Sequence, residues 1–422
     1  MRLPSGAPLS VALALLPREA IAAGRLALDR AGAVFEYDPA FVLSGRRLNP
    51  LDPPRAGPIA AREPRVFDGL HGVFADSLPD AWGTELLRRR CARAGIRYDS
   101  LTVLDRLAVV GKRGMGALVY QPAIADDGDD RIELDRLAEG AEAILEGRDT
   151  DVLPELERLG GSSGGARPKV LVAIDSRGHT ISGTGDIPRG YDAWLVKFRA
   201  SHDRPDAAAL EATYAALARE AGIDVPDHRV IASAARAPGY FASKRFDRGP
   251  NGERRHVVSA AGALDLDWTV PQIDYHGLLQ LVRRVTRDQT AVEEMFRRML
   301  FNVAAHNRDD HAKQHSFILA ADGRWQLAPA YDLTFSNGPG GEHYLAVSGE
   351  ARDIGSGAVA SLAAEHGMKP RRLRAAAGDV LAALARFAAV ARDYGVSTRT
   401  RVETEAAIRV TAGRLISLGK HG

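Results

Sequence analysis

Apolar and polar positions follow two different periods along this chain, and the change from one to the other divides it. In YDAWLVKF at 191–198 the alternation sets Trp194, Val196 and Phe198 on one face and Leu195 and Lys197 on the other, the period of a strand. Further strands are expected at 9–15, in VFEYDP at 34–39, in GALVYQP at 116–122, and in the Val/Leu/Ile run that follows a Gly/Ser loop within 160–174. HRVIASAA and YFASKRFDR predict a strand pair at about 228–235 and 240–247. Helical spacing predominates elsewhere. Asp80 precedes a run with apolar Trp82, Leu86 and Leu87, which predicts a capped amphipathic helix. LTVLDRLAVVG from 101, residues 134–147, and DAAALEATYAALAREAGI at 206–223, with Gly222 as its stop, continue the helical reading. From roughly 273 onward long helices take over, in YHGLLQLVRRVT, AVEEMFRRMLFNVAAHN, RLRAAAGDVLAALARFAAVARDYG and TRTRVETEAAIRVTAGRLISLG. The exception there is FILAADGRWQL, two apolar stretches joined by Asp322-Gly323, which predicts a hairpin. NPLDPPRAGPIA at 49–60 is a proline-rich connection, and the acidic AIADDGDDRIE at 123–133 is a loop and a candidate boundary. No repeat of fixed period and no low-complexity tract occurs.

With 422 residues, 45% hydrophobic and 26% charged, the chain can bury a large core in two or three cooperative units. Its 56 basic and 54 acidic residues leave a formal charge of +2, so no global field argues for nucleic acid or an anionic membrane. The single cysteine, Cys91, excludes an intrachain disulfide and a cysteine-rich metal cluster, and fits a reducing, cytoplasmic compartment. Cys91 sits in LLRRRCARAG, where a buried small hydrophobe is expected rather than a nucleophile. MRLPSGAPLSVALALLPREA has an apolar run of signal-like length, but Pro and Ser interrupt its start and Glu19 closes it. It reads as a buried strand or short helix, and no stretch reaches the ~20 apolar residues that span a bilayer.

Candidate chemistry concentrates in HNRDDHAKQHSF at 306–317 and LAPAYDLT at 327–334. Asp309 and Asp310 precede the predicted hairpin and Asp332 follows it, the way a phosphoryl-transfer site is commonly assembled. One carboxylate receives the hydroxyl proton, and another, beside an Asn or Gln side chain, holds Mg²⁺ on a triphosphate. The same acidic pair also fits a helix cap or a decorated turn. Upstream, Gly160, Gly161, Gly164 and Gly165 surround Ser162 and Ser163 and permit a tight turn that presents consecutive N–H groups to phosphate oxygens. It is not a Walker A loop, because Lys169 enters a strand rather than a helix. Lys197 on its apolar strand end either snorkels to water or pairs with an anion, and Glu211 in the following helix can hold its ammonium toward nucleotide phosphates. His306, His311 and His315 suggest zinc, but no HExxH arrangement is present. No GxSxG elbow supports acyl transfer, and no basic stripe interleaved with aromatics suggests stacking on single-stranded nucleic acid.

Together these pieces resemble the HipA family of bacterial serine/threonine kinases, the toxin halves of type II toxin–antitoxin modules, over nearly the whole chain. FEYDPAFVLSG at 35–45 and GVFADSLPDAWG at 72–83 look like the family's N-terminal subdomain, and SSGGARPK at 162–169 looks like its regulatory glycine-rich loop. WLVKF resembles the nucleotide-lysine strand and SKRFDR at 243–248 the hinge-adjacent strand. NRDDHAKQHSF and LAPAYDL resemble the catalytic and metal-binding segments. The resemblance implies an α+β, two-lobed protein-kinase-like fold with an extra N-terminal α/β subdomain and a helical C-terminal lobe. Its domains are expected at 1–125, 134–255 and 256–422.

Carried across by residue, it makes Asp309 the catalytic base, Asp332 the main Mg²⁺ ligand with Gln314 beside it, and Lys197, with Gly164 and Gly165, the contact to ATP. Ser162, with Ser163 as the adjacent alternative, becomes an autophosphorylated switch whose new dianionic group is poorly tolerated beside ATP phosphates. It implies further a helix-turn-helix DNA-binding antitoxin as partner, operator DNA reached mainly through that partner, and a protein substrate, an aminoacyl-tRNA synthetase being one that family members take. Two positions depart from the pattern. Gln314 stands where a metal-coordinating Asn is expected, and Lys244 where the family often has an acidic residue before RFDR. They motivate an alternative of another class, a nucleotide-binding regulatory partner with negligible turnover.

Overall fold

A computed structural model describes residues 7–17, 19–63, 65–123, 132–160, 167–200 and 203–419. The chain is α+β and divides into two compact units: Met1–Asp203 with Ala242–Leu266 and Ile318–Arg324, and Arg204–Phe241 with Asp267–Phe317 and Trp325–Gly422. The acidic loop and the Gly/Ser loop named above fall largely on 124–131 and 161–166, outside the described residues.

The first unit opens with an antiparallel sheet in the order Pro58–Ala60, Ala33–Tyr37, Glu19–Leu28, Leu9–Leu16, Leu118–Gln121. The pairings Leu9↔Leu26 and Val11↔Tyr120 bring alternate residues to one face, and Leu9, Val11, Leu13, Leu26, Phe35 and Tyr120 are all buried there. Gly24 is required where the register of the first hairpin shifts, since a Cβ there would stand 2.2 Å from the Glu36 carbonyl oxygen. Helix Ala81–Arg93 starts as its sequence predicts, with the Asp80 carboxylate accepting from the Gly83 N–H at 2.7 Å and Trp82, Leu86, Leu87 and Cys91 buried. A second antiparallel sheet pairs Lys169–Asp175 with Thr180–Ser182 on one side and Tyr191–Lys197 on the other. Arg245 N–H then donates to the Ala193 carbonyl at 2.8 Å, continuing the sheet. Trp194, Val196 and Phe198 are buried and Leu195 and Lys197 half-buried, the two faces the alternation sets.

The second unit is mainly helical. Asp274, Asp288 and Ser397 cap the N-termini of Tyr275–Thr286, Gln289–Ala304 and Thr398–Gly413 through their side chains. Helix Ala207–Glu220 buries Tyr214 against Phe301 and Phe387, ring centroids 6.3 Å away in both cases. The Tyr214 hydroxyl donates to the Ala305 carbonyl at 2.6 Å, and the Thr411 hydroxyl to the Ala304 carbonyl at 2.7 Å, so the C-terminal end of Gln289–Ala304 is satisfied by side chains. That helix end launches the segment of chemical interest. No helix among the described residues is long and apolar enough to cross a membrane.

Candidate active site

Helix Gln289–Ala304 is stopped by His306, whose φ of 57° turns the chain back on itself. Asn307 N–H donates to the Asn302 carbonyl at 2.9 Å and Arg308 N–H to the Ser336 carbonyl at 3.2 Å, so 307–311 runs as a pinned loop, not as helix. Asp309 and Asp310 are adjacent in this loop and meet opposite environments.

Asp310 is buried and fully engaged. Its Oδ2 accepts from the Tyr275 hydroxyl at 2.8 Å and from His343 Nδ1 at 2.9 Å, and its Oδ1 accepts from Tyr344 N–H at 2.9 Å. The network continues inward, with Asn302 Nδ2 donating to the Tyr275 oxygen at 3.0 Å and Asn307 Nδ2 to Asn302 Oδ1 at 2.9 Å. Burial, reinforced by the carboxylate of Asp310, holds the Tyr275 phenol well above its ordinary pKa, so it remains a donor. A carboxylate surrounded in this way anchors the loop and is not available for proton transfer.

Asp309 is 48% exposed, and its Oδ1 lies 3.7 Å from His311 Nε2, beyond hydrogen-bond length. The His311 ring packs on Trp268, centroids 4.7 Å apart, and edge-on to Tyr344 at 5.3 Å. Burial lowers its pKa to about 4, against the opposing charge of Asp332, so the imidazole beside Asp309 is neutral at pH 7. Lys313 lies over the other aromatic of this wall, 5.6 Å from the Trp268 ring centroid.

The predicted hairpin forms between Ser316–Leu319 and Trp325–Leu327, with Ala320 N–H to Arg324 O and Ala328 N–H to Ser316 O both at 2.9 Å. Past its exit, the Tyr331 hydroxyl donates to the Lys313 carbonyl at 2.8 Å, and Asp332 adopts φ 57°. Gln314 Nε2 then donates to Asp332 Oδ2 at 2.9 Å. The second unit thus joins Gln314 directly to Asp332 and places the neutral His311 beside Asp309, within reach of the Asp332 charge. The Gln314 carbonyl oxygen makes no hydrogen bond to a described residue. An amide carbonyl next to a carboxylate is a hard-oxygen donor set, which fits Mg²⁺.

Lys197 belongs to the first unit and Glu211, buried in helix Ala207–Glu220, to the second. Lys197 stands directly opposite Lys169 in the sheet register. Lys169 is buried and ion-paired to Asp80 at 2.8 Å, the residue that caps Ala81–Arg93. Lys244, the departure from the family pattern, pairs with Asp192 at 2.9 Å. Ser162, Ser163, Gly164 and Gly165 lie outside the described residues. The sequence reading missed Tyr275, Asn302 and His343 as the holders of the loop. Their separation along the chain, 35 residues from Asp310 to Tyr275 and 33 to His343, leaves no local pattern that could have found them.

Two family models match the chain: the HipA N-terminal domain over residues 18–121 and the HipA-like C-terminal domain over residues 161–387. No curated protein matches it. Among solved structures it is similar to a chain of the Shewanella oneidensis MR-1 toxin–antitoxin complex of HipA, HipB and operator DNA. The TM-score is 0.70 at 16% identity, covering 98% of this chain and 100% of that one, a likeness of fold. A match to the Helicobacter pylori proinflammatory kinase CtkA has a TM-score of 0.36 at 11% identity and covers 56% of this chain and 91% of that one.

Proposed function

The chain belongs to the HipA family, and from that premise we propose that it is an ATP- and Mg²⁺-dependent serine/threonine protein kinase, the growth-inhibiting toxin of a type II toxin–antitoxin module. The observation that carries this reading is the division of labour in one loop: Asp310 is buried as the anchor, and Asp309, next to it, is left exposed with a neutral imidazole at its side. An exposed, rigidly mounted carboxylate can take the proton from an incoming serine or threonine hydroxyl and orient its oxygen. Asp332 and Gln314 are the residues that would hold Mg²⁺, and Lys197, with the main chain around Gly164 and Gly165, those that would hold the nucleotide. When bound, Mg²⁺-ATP supplies the transferable phosphoryl group and neutralises its charge. Glu211 is proposed to orient Lys197, and Ser162 or Ser163 to be the regulatory phosphorylation site.

The partners follow the same line. The Shewanella complex contains HipB and operator DNA, and we propose a helix-turn-helix antitoxin that brings this chain to its operator in the cytoplasm. The substrate is proposed to be a protein, with an aminoacyl-tRNA synthetase as the first candidate. Incubation of the purified chain with Mg²⁺ and ATP, followed by site-resolved mass spectrometry, tests the reading: phosphate is expected on Ser162 or Ser163 in wild type and on neither in Asp309→Asn. Transfer at the wild-type rate by Asp309→Asn sinks the assignment of the base.

One observation favours a second reading, a nucleotide-binding regulator with negligible turnover. Gln314 already spends an amide hydrogen on Asp332, and its extra methylene relative to Asn changes where the carbonyl reaches, a displacement of the kind that costs ~10²-fold in rate for ~1 Å. Mg²⁺-dependent ATP binding without phosphate on the chain or on any protein acceptor would select it.

A further inference from the structure

The loop that carries Asp309 also carries an arginine that makes no direct ion pair among the described residues. Arg308 has no carboxylate in ion-pair range among the described residues; its Nη2 donates to the Arg352 carbonyl at 3.3 Å, and its buried Nε has no hydrogen-bond partner. Two more guanidiniums stand around it. Arg352 Nη2 pairs with Glu342 at 3.2 Å and Arg414 Nη2 with Asp353 at 2.7 Å. Three cations therefore stand together, and among the described residues Arg308 is the one of the three that makes no ion pair. Burial first, then the charge of Arg414 with a smaller part from Arg352, lowers the Arg308 pKa, against the opposing carboxylates of Asp353 and Asp310.

The geometry around Gly341 shows where the surplus points. Gly338, Gly340 and Gly341 all have positive φ, in a turn that only glycine adopts without strain. A Cβ on Gly341 would lie 3.6 Å from Arg352 Nη1 and 3.7 Å from Arg308 Nη1, and would meet nothing else within 4 Å. Neither Nη1 is used in a hydrogen bond to a described residue. Two unused guanidinium donors thus converge over bare backbone, open to solvent because Arg352 is 58% exposed. Guanidinium pairs of this kind recognise planar or tetrahedral oxyanions bidentately.

We propose that Arg308 and Arg352, with Arg414 behind them, form a receptor for a phosphate monoester dianion: a phosphoserine or phosphothreonine, carried either by this chain or by a partner protein. The ligand would tie together three separate segments, the Asp309 loop, the segment after Asp332 and the end of helix Thr398–Gly413, and so regulate the presentation of Asp309. The binding itself is independent of catalysis; only the regulatory consequence rests on the phosphotransfer reading. A compact fork with two unused donors suits a monoester better than the backbone of duplex DNA, which is engaged by extended tracks of cations.

The test titrates the full-length Asp309→Asn chain, prepared without ATP, with inorganic phosphate and with a phosphoserine peptide in 150 mM salt, followed by calorimetry. Arg308→Gln and Arg352→Gln are made in the same background, and circular dichroism confirms that they fold. Saturable binding of both probes, weakened at least tenfold in each variant, is expected, along with a rise in melting temperature on adding phosphate that Arg308→Gln abolishes. Phosphate mapped by mass spectrometry to any serine or threonine of wild type after Mg²⁺-ATP, with loss of peptide binding, assigns the ligand to this chain; wild type that still binds the peptide after the same treatment assigns it to a partner. Absence of saturable binding, binding unaltered in both variants, or displacement of the peptide by unmodified duplex DNA at equal phosphate concentration overturns the proposal. Failure of wild type to transfer phosphate sinks the kinase reading and leaves these binding results untouched.

Discussion

Two adjacent aspartates in one loop should respond to substitution in opposite ways. Asp310 accepts three hydrogen bonds at 2.8–2.9 Å, from Tyr275, His343 and Tyr344, inside the second unit. Hydrogen bonds to a charged acceptor contribute about 1.5–3 kcal/mol each, but these three share two oxygens and are not additive. Removing one member of a buried, charge-assisted network leaves its partners unsatisfied, which typically costs about 3–5 kcal/mol. We therefore expect Asp310→Ala to destabilise the chain by about 4 kcal/mol. Asp310→Asn should cost somewhat less, roughly 2–3 kcal/mol, because the amide keeps one acceptor but aims N–H groups at donors. Asp309→Asn, at a side chain 48% exposed to solvent and close in shape to the amide that replaces it, should stay within about 0.5 kcal/mol of wild type. Urea denaturation of the four proteins, followed by circular dichroism, compares midpoints and slopes. The reasoning is refuted if Asp310→Ala falls within about 1 kcal/mol of wild type, or if Asp309→Asn is destabilised as much as Asp310→Asn.

Other consequences are open to direct measurement. His256 and His315 are buried with pKa values lowered to about 4, below the unfolded value near 6.5, so the unfolded chain binds more protons between those limits; stability should be full above pH 6.5 and fall on acidification toward pH 4, by at most about 3 kcal/mol per histidine. A His256→Gln variant should flatten that slope in denaturation curves at pH 7 and pH 4.5, and an unchanged slope would count against the assignment. Gln314→Ala should weaken Mg²⁺ binding to the ATP-loaded chain by about 10–100-fold, the usual range for a group that orients a metal ligand; calorimetry showing no change would remove Gln314 from the metal site. Lys169→Met should cost about 3–5 kcal/mol by leaving Asp80 buried without its cation, and Lys169→Met with Asp80→Leu should recover much of that loss; equal loss in the single and double variants would show that the ion pair is not the cause.

Where burial follows from a neighbour two or four residues away, the sequence was legible. Strand Tyr191–Lys197 divides into its buried and half-buried faces as the alternation requires, and helix Ala81–Arg93 begins at its Asp80 cap. Strand Glu19–Leu28 escaped notice because EAIAAGRLAL has few β-branched or aromatic residues; its pairing with Leu9–Leu16 and Ala33–Tyr37 makes it a strand. Helix Ser356–Glu365 was missed for a similar reason, since Gly355 precedes it with no side-chain cap to announce the start.

The candidate site divides along the same physical line. Asp309, Gln314 and Asp332 stand out because loop-forming polar residues interrupt apolar runs, a local signal. What makes Asp309 rather than Asp310 the exposed carboxylate is decided by Tyr275 and His343, on distant segments, and by the left-handed turn at His306 that aims the loop. A sequence motif can nominate both aspartates, but only tertiary contacts can withdraw one of them from solvent. That withdrawal also explains the order of the pair. The residue that follows Asp309 in the chain is anchored from three sides, so the backbone that carries Asp309 is held one peptide bond away from its own side chain.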